Sequence, residues 1–183
     1  MKSGEKTLLK TDTGSGAGKC LYVIGGPMGV GKTAACRHLQ QLLDRSVFLD
    51  GDWCWDAHPF QVTEETREMV LENIAFLLNS FLRCTAYDHV IFCWVLHRRE
   101  IWADLLRRLK EPYALRAVSL VCTPEVLRSR LEGDIRAGKR TPDVLSRSMA
   151  YLPLYEALDI WRLDVTNLTP QETAERIREE AGT

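Results

Sequence analysis

The run GPMGVGKT at 26–33 fits G-x-x-x-x-G-K-[ST]. The chemistry that pattern serves is the holding of a polyphosphate. An apolar run, CLYVIGG (20–26), precedes it, and apolar residues at helical spacing follow it in GKTAACRHLQQLLD (31–44). A strand, a glycine turn and a helix are therefore expected in register. Glycines let successive backbone N–H groups turn inward without Cβ clashes. The helix beginning near Gly31 adds its positive end. Gly26, Gly29, Val30, Gly31, Lys32, Thr33 and Ala34 are the expected binding residues for a nucleoside triphosphate. Lys32 would reach the β- and γ-phosphates, and the Thr33 hydroxyl would ligate Mg²⁺. A second glycine run, GSGAGKC (14–20), has Cys after its lysine and no strand before it, so it is set aside.

The next chemistry lies in SVFLDGD (46–52), which reads as a second strand ending in Asp50 and Asp52. In a parallel sheet, the loops at the strands' carboxyl ends share one rim. Residues i and i+2 of a strand point the same way. Both carboxylates are thus expected beside Lys32 and Thr33. One can hold Mg²⁺, and the other can accept or orient the proton of an attacking hydroxyl. A plain Asp-Gly-Asp surface turn is the competing reading of the pair taken alone.

Placing these residues takes an alternation of strands and helices. HVIFCWVL (89–96) is an unbroken apolar run, as in a strand covered on both faces, which makes Trp94 a core residue. LRAVSLVC (115–122) and IWRLDV (160–165) are the fourth and fifth strands. Thr63 reads as the cap of a long helix reaching about Ala86. REIWADLLRRLK (99–110) is amphipathic, and Thr123-Pro124 opens another helix. A polar segment occupies 133–143, and Pro153 is expected to kink or split a helix over 143–158. Thr169-Pro170-Gln171-Glu172 reads as a capping box. The expectation is an α/β domain of three layers, αβα, over residues 20–183, with a five-stranded parallel sheet. Residues 1–19 read as a flexible tail.

Composition sets bounds on function. The 183 residues carry 24 Lys+Arg against 25 Asp+Glu, a net charge of −1. That gives no global attraction to nucleic acid or to an anionic membrane. No stretch reaches the roughly 20 apolar residues of a membrane span. The six cysteines form no CxxC pair, so zinc and redox motifs are absent and free thiols in a reducing cytoplasm are expected. No Asn-Lys-x-Asp guanine motif occurs.

GGPMGVGKT, followed some 17 residues later by FLDGD, resembles the small P-loop kinases of the gluconate kinase and shikimate kinase group. The Leu-Asp-Gly-Asp is similar to that of adenylylsulfate kinases. VIFCWVLHRREIWADLLRRL and LVCTPEVLRSRL extend the resemblance over nearly the whole domain, and tunicamycin-resistance ATPases are similar in size and order. The resemblance implies a P-loop NTPase fold, ATP and Mg²⁺. It implies that Asp50 helps hold the metal and that Asp52 contacts the acceptor hydroxyl. No acid ends the third strand, so Asp50 must also stand in for the usual Walker B acid. A lid is implied at about 130–147, with Arg136 and Arg140 closing over the phosphates, Arg130 at its hinge and Arg147 returning from the next helix. The turn 166–169 is implied to cradle adenine. His97, Arg98 and Arg99 lie on the acceptor side, where a cation would suit an acidic acceptor. Trp53, Trp55 and Phe60 are candidates to wall an apolar acceptor pocket.

Transfer of a phosphoryl group from ATP to a hydroxyl of a small molecule (a sugar acid, nucleoside or antibiotic) is the leading reading. The alternative is a resistance or regulatory protein that binds a ligand and hydrolyses ATP slowly. A nucleic-acid-acting ATPase ranks third. The expected partner is a small-molecule acceptor, with no nucleic acid and no membrane, for a monomer or homodimer.

Overall fold

A computed structural model describes residues 18–181. The tail expected over 1–19, and the glycine run set aside there, lie outside the described residues up to position 17.

Five strands form one sheet: β1 Cys20–Gly25, β2 Ser46–Asp50, β3 His89–Cys93, β4 Ala114–Val121 and β5 Arg162–Asp164. Their order is β2-β3-β1-β4-β5, and every pairing is parallel. The helices are α1 Lys32–Leu42, α2 Glu64–Arg83, α3 Arg99–Arg107, α4 Pro124–Arg136, α5 Asp143–Tyr151 and α6 Pro170–Glu180. Side chains of α1, α4, α5 and α6 bury one face of the sheet, while those of α2 and α3 bury the other. This is the expected three-layer αβα arrangement. The crossovers leave β1 flanked by β3 and β4, so the loop after β1 opens at the switch point of the sheet.

The helix starts follow from their caps. Thr63 accepts from the Thr66 amide, Thr123 from Val126 and Thr169 from Glu172. The last forms the expected capping box. Pro153 does split the helix expected over 143–158: α5 ends at Tyr151, and a 3₁₀ turn covers Leu152–Ala157.

Three strands, β2, β3 and β5, are shorter than the sequence suggests. β2 stops at Asp50, and a 3₁₀ turn takes Gly51–Trp55. The cause is local. The Asp50 carboxylate accepts from the Asp52 amide at 3.1 Å, capping the turn and giving the backbone an alternative to the ladder. β3 ends at Cys93, and the Trp102 indole donates to Leu96 O at 2.8 Å, fixing the loop beyond it. The polar segment expected from 133 enters α4 as far as Arg136, so only 137–142 lies between α4 and α5.

Candidate active site

The β1–α1 loop has the torsions its sequence requires. Gly26, Gly29 and Gly31 all have positive φ. At Gly29 (φ 82°) a Cβ would also fall 2.5 Å from Leu131 Cδ2, so the loop seats against α4 only without a side chain there. The Lys32 ammonium lies within the loop and donates to Gly26 O and Pro27 O at 2.8 and 2.9 Å. Burial pushes its pKa below the usual lysine range, while Cys93, Asp52 and Asp50 oppose that shift. Thr33 and Ala34 are exposed at the start of α1, where a phosphate would meet the helix's positive end.

Thr33 donates its hydroxyl to Asp50 Oδ2 at 2.6 Å. Asp50 is buried and pairs in register with Cys93, which itself pairs with Ile24 at the end of β1. Asp50 thus stands one strand further out than β3, whose end carries no acid. Its carboxylate reaches Thr33 from beyond the strand end at which a cysteine stands. A hydroxyl and a carboxylate, both hard oxygen donors, suit Mg²⁺ completed by phosphates and water. Among the described residues no cluster of three His, Cys, Asp or Glu side chains forms a self-sufficient metal cage.

Asp52 lies in the 3₁₀ turn rather than on the strand, an exposed residue whose carboxyl group nonetheless has protein packed around it. It stays near the loop because Asp50 caps that turn, not because strand periodicity carries it there. Burial of its carboxyl group pushes the pKa up, and Asp50 adds to this. Lys32, Arg140 and a hydrogen bond with Trp94 oppose the shift. Trp94 is therefore half-buried, packed against the core on the α2 and α3 side and beside a carboxylate, rather than fully enclosed as an apolar run suggested. It also explains the glycine between the two acids: a Cβ on Gly51 would lie 2.6 Å from Trp94 Cγ. Gly51→Ala is expected to cost about 1–3 kcal/mol of stability through this overlap, measured by chemical denaturation. It should also displace Asp52, so that turnover falls more than nucleotide affinity.

The arginines expected to form a lid divide. Arg140 ion-pairs with Asp134 at 3.2 Å, and its charge acts on both Lys32 and Asp52. Arg136, the last residue of α4, is exposed and has no ion-pair or hydrogen-bond partner among the described residues. Arg147 pairs with Asp143 on its own helix at 2.8 Å. Arg130 joins two loops, donating to Val30 O at 2.9 Å and Val165 O at 3.0 Å. Beside it lies a cleft of about 350 Å³ lined by Gly29, Val30, Gly31, Arg130, Asp134, Leu168 and Pro170. That cleft adjoins the β1–α1 loop through Gly29, Val30 and Gly31. Asp134 and Pro170 had no sequence signal for it.

Beyond β3, His97 stacks on Tyr151 with ring centres 4.1 Å apart and planes within 6°. Burial holds His97 below the usual histidine range. Arg98 and Arg99 are exposed where α3 begins. Trp55 packs on Phe60 at 4.8 Å, and Trp53 packs on Phe48 under the Arg37 guanidinium. Trp53 thus turns toward α1.

A parallel αβα sheet with this loop at its switch point defines a P-loop domain. The AAA_18 family, described as an AAA domain, matches residues 23–148, and the chain belongs to it. No curated protein matches the sequence. In fold, the chain is similar to the tunicamycin resistance protein of Deinococcus radiodurans (TM-score 0.66, 20 % identity, covering 90 % of this chain and 96 % of that one). It is similar to a gluconokinase from Sinorhizobium meliloti 1021 (TM-score 0.62, 19 % identity, 88 % and 89 % covered). It is also similar to a shikimate kinase from Acinetobacter baumannii in complex with shikimate (TM-score 0.57, 21 % identity, 88 % and 91 % covered). These likenesses establish the fold. No helix among the described residues is long and apolar enough to cross a membrane.

Proposed function

We propose that the protein transfers the terminal phosphoryl group of ATP to a hydroxyl of a small molecule. The observation that carries this reading is the 2.6 Å hydrogen bond from Thr33 to Asp50, with Asp52 two residues further along. A nucleotide-binding loop needs only the first pair. A second carboxylate with a raised pKa, acted on by both Lys32 and Arg140, is what transfer to a hydroxyl adds.

In this reading the amides of the β1–α1 loop and the Lys32 ammonium bind the β- and γ-phosphates. The cleft beside Arg130 takes the base, and the missing guanine motif favours adenine. Thr33 and Asp50 hold Mg²⁺. When bound there, the ion neutralises charge on the phosphates. Asp52 accepts the proton of the attacking hydroxyl. Arg140 balances charge over the phosphates, and the lid excludes water, which would otherwise compete with the acceptor. Trp94, His97 and Tyr151 are the groups beside which an acceptor would enter. The support for a kinase is the joint presence of these parts on a fold shared with a gluconokinase and a shikimate kinase.

The metal assignment has its own test. ATP affinity of the wild-type protein is expected to rise about tenfold on adding Mg²⁺. In Asp50→Asn most of that gain should vanish while metal-free ATP affinity stays unchanged or improves, because a negative charge near the phosphates has gone. Calorimetric titration with and without Mg²⁺ reads both. An undiminished Mg²⁺ gain in Asp50→Asn would remove Asp50 from the metal site.

A further inference from the structure

The β1–α1 loop is held from outside as well as by its own glycines. Ser148, in the middle of α5, has no exposed surface. Its hydroxyl donates to the Met28 carbonyl at 2.6 Å, across 120 residues of sequence. A trans peptide is planar, with its C=O and N–H directed oppositely. Fixing the Met28 carbonyl toward α5 therefore fixes the Gly29 N–H in the opposite direction, away from α5. Arg130 does the same one turn of loop later. It takes the Val30 carbonyl at 2.9 Å and so directs the Gly31 N–H. These two carbonyls are separate from those of Gly26 and Pro27, which Lys32 occupies. Gly29 has φ 82° and Gly31 has φ 109°. Glycines cross between peptide orientations at little cost, so torsion preference alone does not hold these planes.

We propose that Ser148 is a positioning residue for nucleotide binding: its hydroxyl holds the Met28–Gly29 peptide so that the Gly29 amide faces the phosphates. This rests on the nucleotide reading above and deepens it. It also gives α5 a role beyond carrying the chain back from the lid. Arg130 and Ser148 sit on the two helices that flank residues 137–142. Both arms of the lid thereby reach the same loop. Tyr151, three residues on from Ser148, stacks on His97, so the helix that orients the loop also touches the acceptor side.

The test is ATP titration, with Mg²⁺, of the wild-type chain and three variants. Ser148→Ala is expected to bind ATP about tenfold more weakly, the scale of one buried hydrogen bond with its partner left unpaired. Ser148→Cys keeps the volume but offers only a weak donor, so it should lose nearly as much. It serves if the alanine variant does not fold. Ser148→Thr retains the hydroxyl and should recover most of the affinity. The ATP-induced rise in Tm, taken relative to each variant's own unliganded Tm, should shrink in the first two and return in the third. A general loss of packing would lower the unliganded Tm and leave that rise intact. Unchanged ATP affinity in Ser148→Cys or Ser148→Ala would overturn the inference alone. So would Ser148→Thr binding as weakly as Ser148→Ala. Failure of the wild-type chain to bind ATP would overturn the nucleotide reading, and this inference with it.

Discussion

Asp52→Asn is expected to lower phosphoryl transfer by about 10²–10⁴-fold, the usual contribution of a positioned base. Affinity for Mg·ATP should stay within about threefold of wild type, under 1 kcal/mol. The separation follows from where Asp52 sits. It takes no part in the loop's hydrogen bonds, and the Thr33–Asp50 pair does not depend on its charge. The amide retains the shape and loses the proton acceptor. The pH profile carries the same assignment. Burial and Asp50 raise the Asp52 pKa, so its carboxylate is lost at a higher pH than an ordinary aspartate. Activity therefore falls as pH drops through that raised value. The acid limb of kcat/KM in the wild-type protein should lie above 3.8, and Asp52→Asn should lack it. Full transfer by Asp52→Asn would remove Asp52 from the chemistry.

Lys32→Ala has the other large effect, and it falls on a different quantity. The ammonium occupies the interior of the loop, donating to Gly26 O and Pro27 O. It is poised to exchange those carbonyls for phosphate oxygens, which are charged acceptors and form stronger bonds. Its loss should lower transfer about 10³-fold or more, because in the proposed reaction it would stabilise the migrating group. Here ATP affinity should fall too. The unliganded protein should suffer little. Two hydrogen bonds go, but so does the cost of burying a cation that Lys32's lowered pKa reports. Thermal unfolding separates these effects. The unliganded Tm should move slightly, while the rise on adding Mg·ATP should disappear.

The loop was legible in the sequence because its chemistry fixes residue types at fixed spacing, and the flanking strand and helix announce themselves by periodicity. The strand order and the two covered faces were less direct. They follow from the alternation of apolar runs with amphipathic segments. Asp50 was expected beside Thr33, and the hydrogen bond between them places it there. Asp52 came to the site by a route the sequence did not suggest. Strand periodicity was to carry it, whereas the strand ends at Asp50 and a cap turns the chain. That cap is a side chain competing with the backbone ladder, and period-2 reasoning does not see it. Trp94 read as core because it lies within an apolar run. Its partner is the missing Cβ of Gly51, a contact between two segments far apart in sequence. Ser148 and Asp134 gave no signal at all. A serine in a helix and an aspartate in a polar stretch are ordinary residues until folding sets them against Met28 and Arg140. The lid arginines show the same limit. Charge density marked the segment, but only the fold distinguishes Arg140, which pairs with Asp134 and acts on Lys32 and Asp52, from Arg136, whose side chain has no such partner among the described residues.

In the proposed function this site moves a phosphoryl group onto a hydroxyl. The direct measurement is incubation of the protein with Mg·ATP and a pooled set of hydroxylated metabolites, nucleosides and antibiotics, read by mass spectrometry. One compound is expected to gain a phosphoryl group, about 80 Da, while ATP becomes ADP. The same product should be missing with Asp52→Asn. Slow ATP hydrolysis with a pool member bound and unmodified would contradict the account, and would leave a ligand-binding ATPase in place of a kinase.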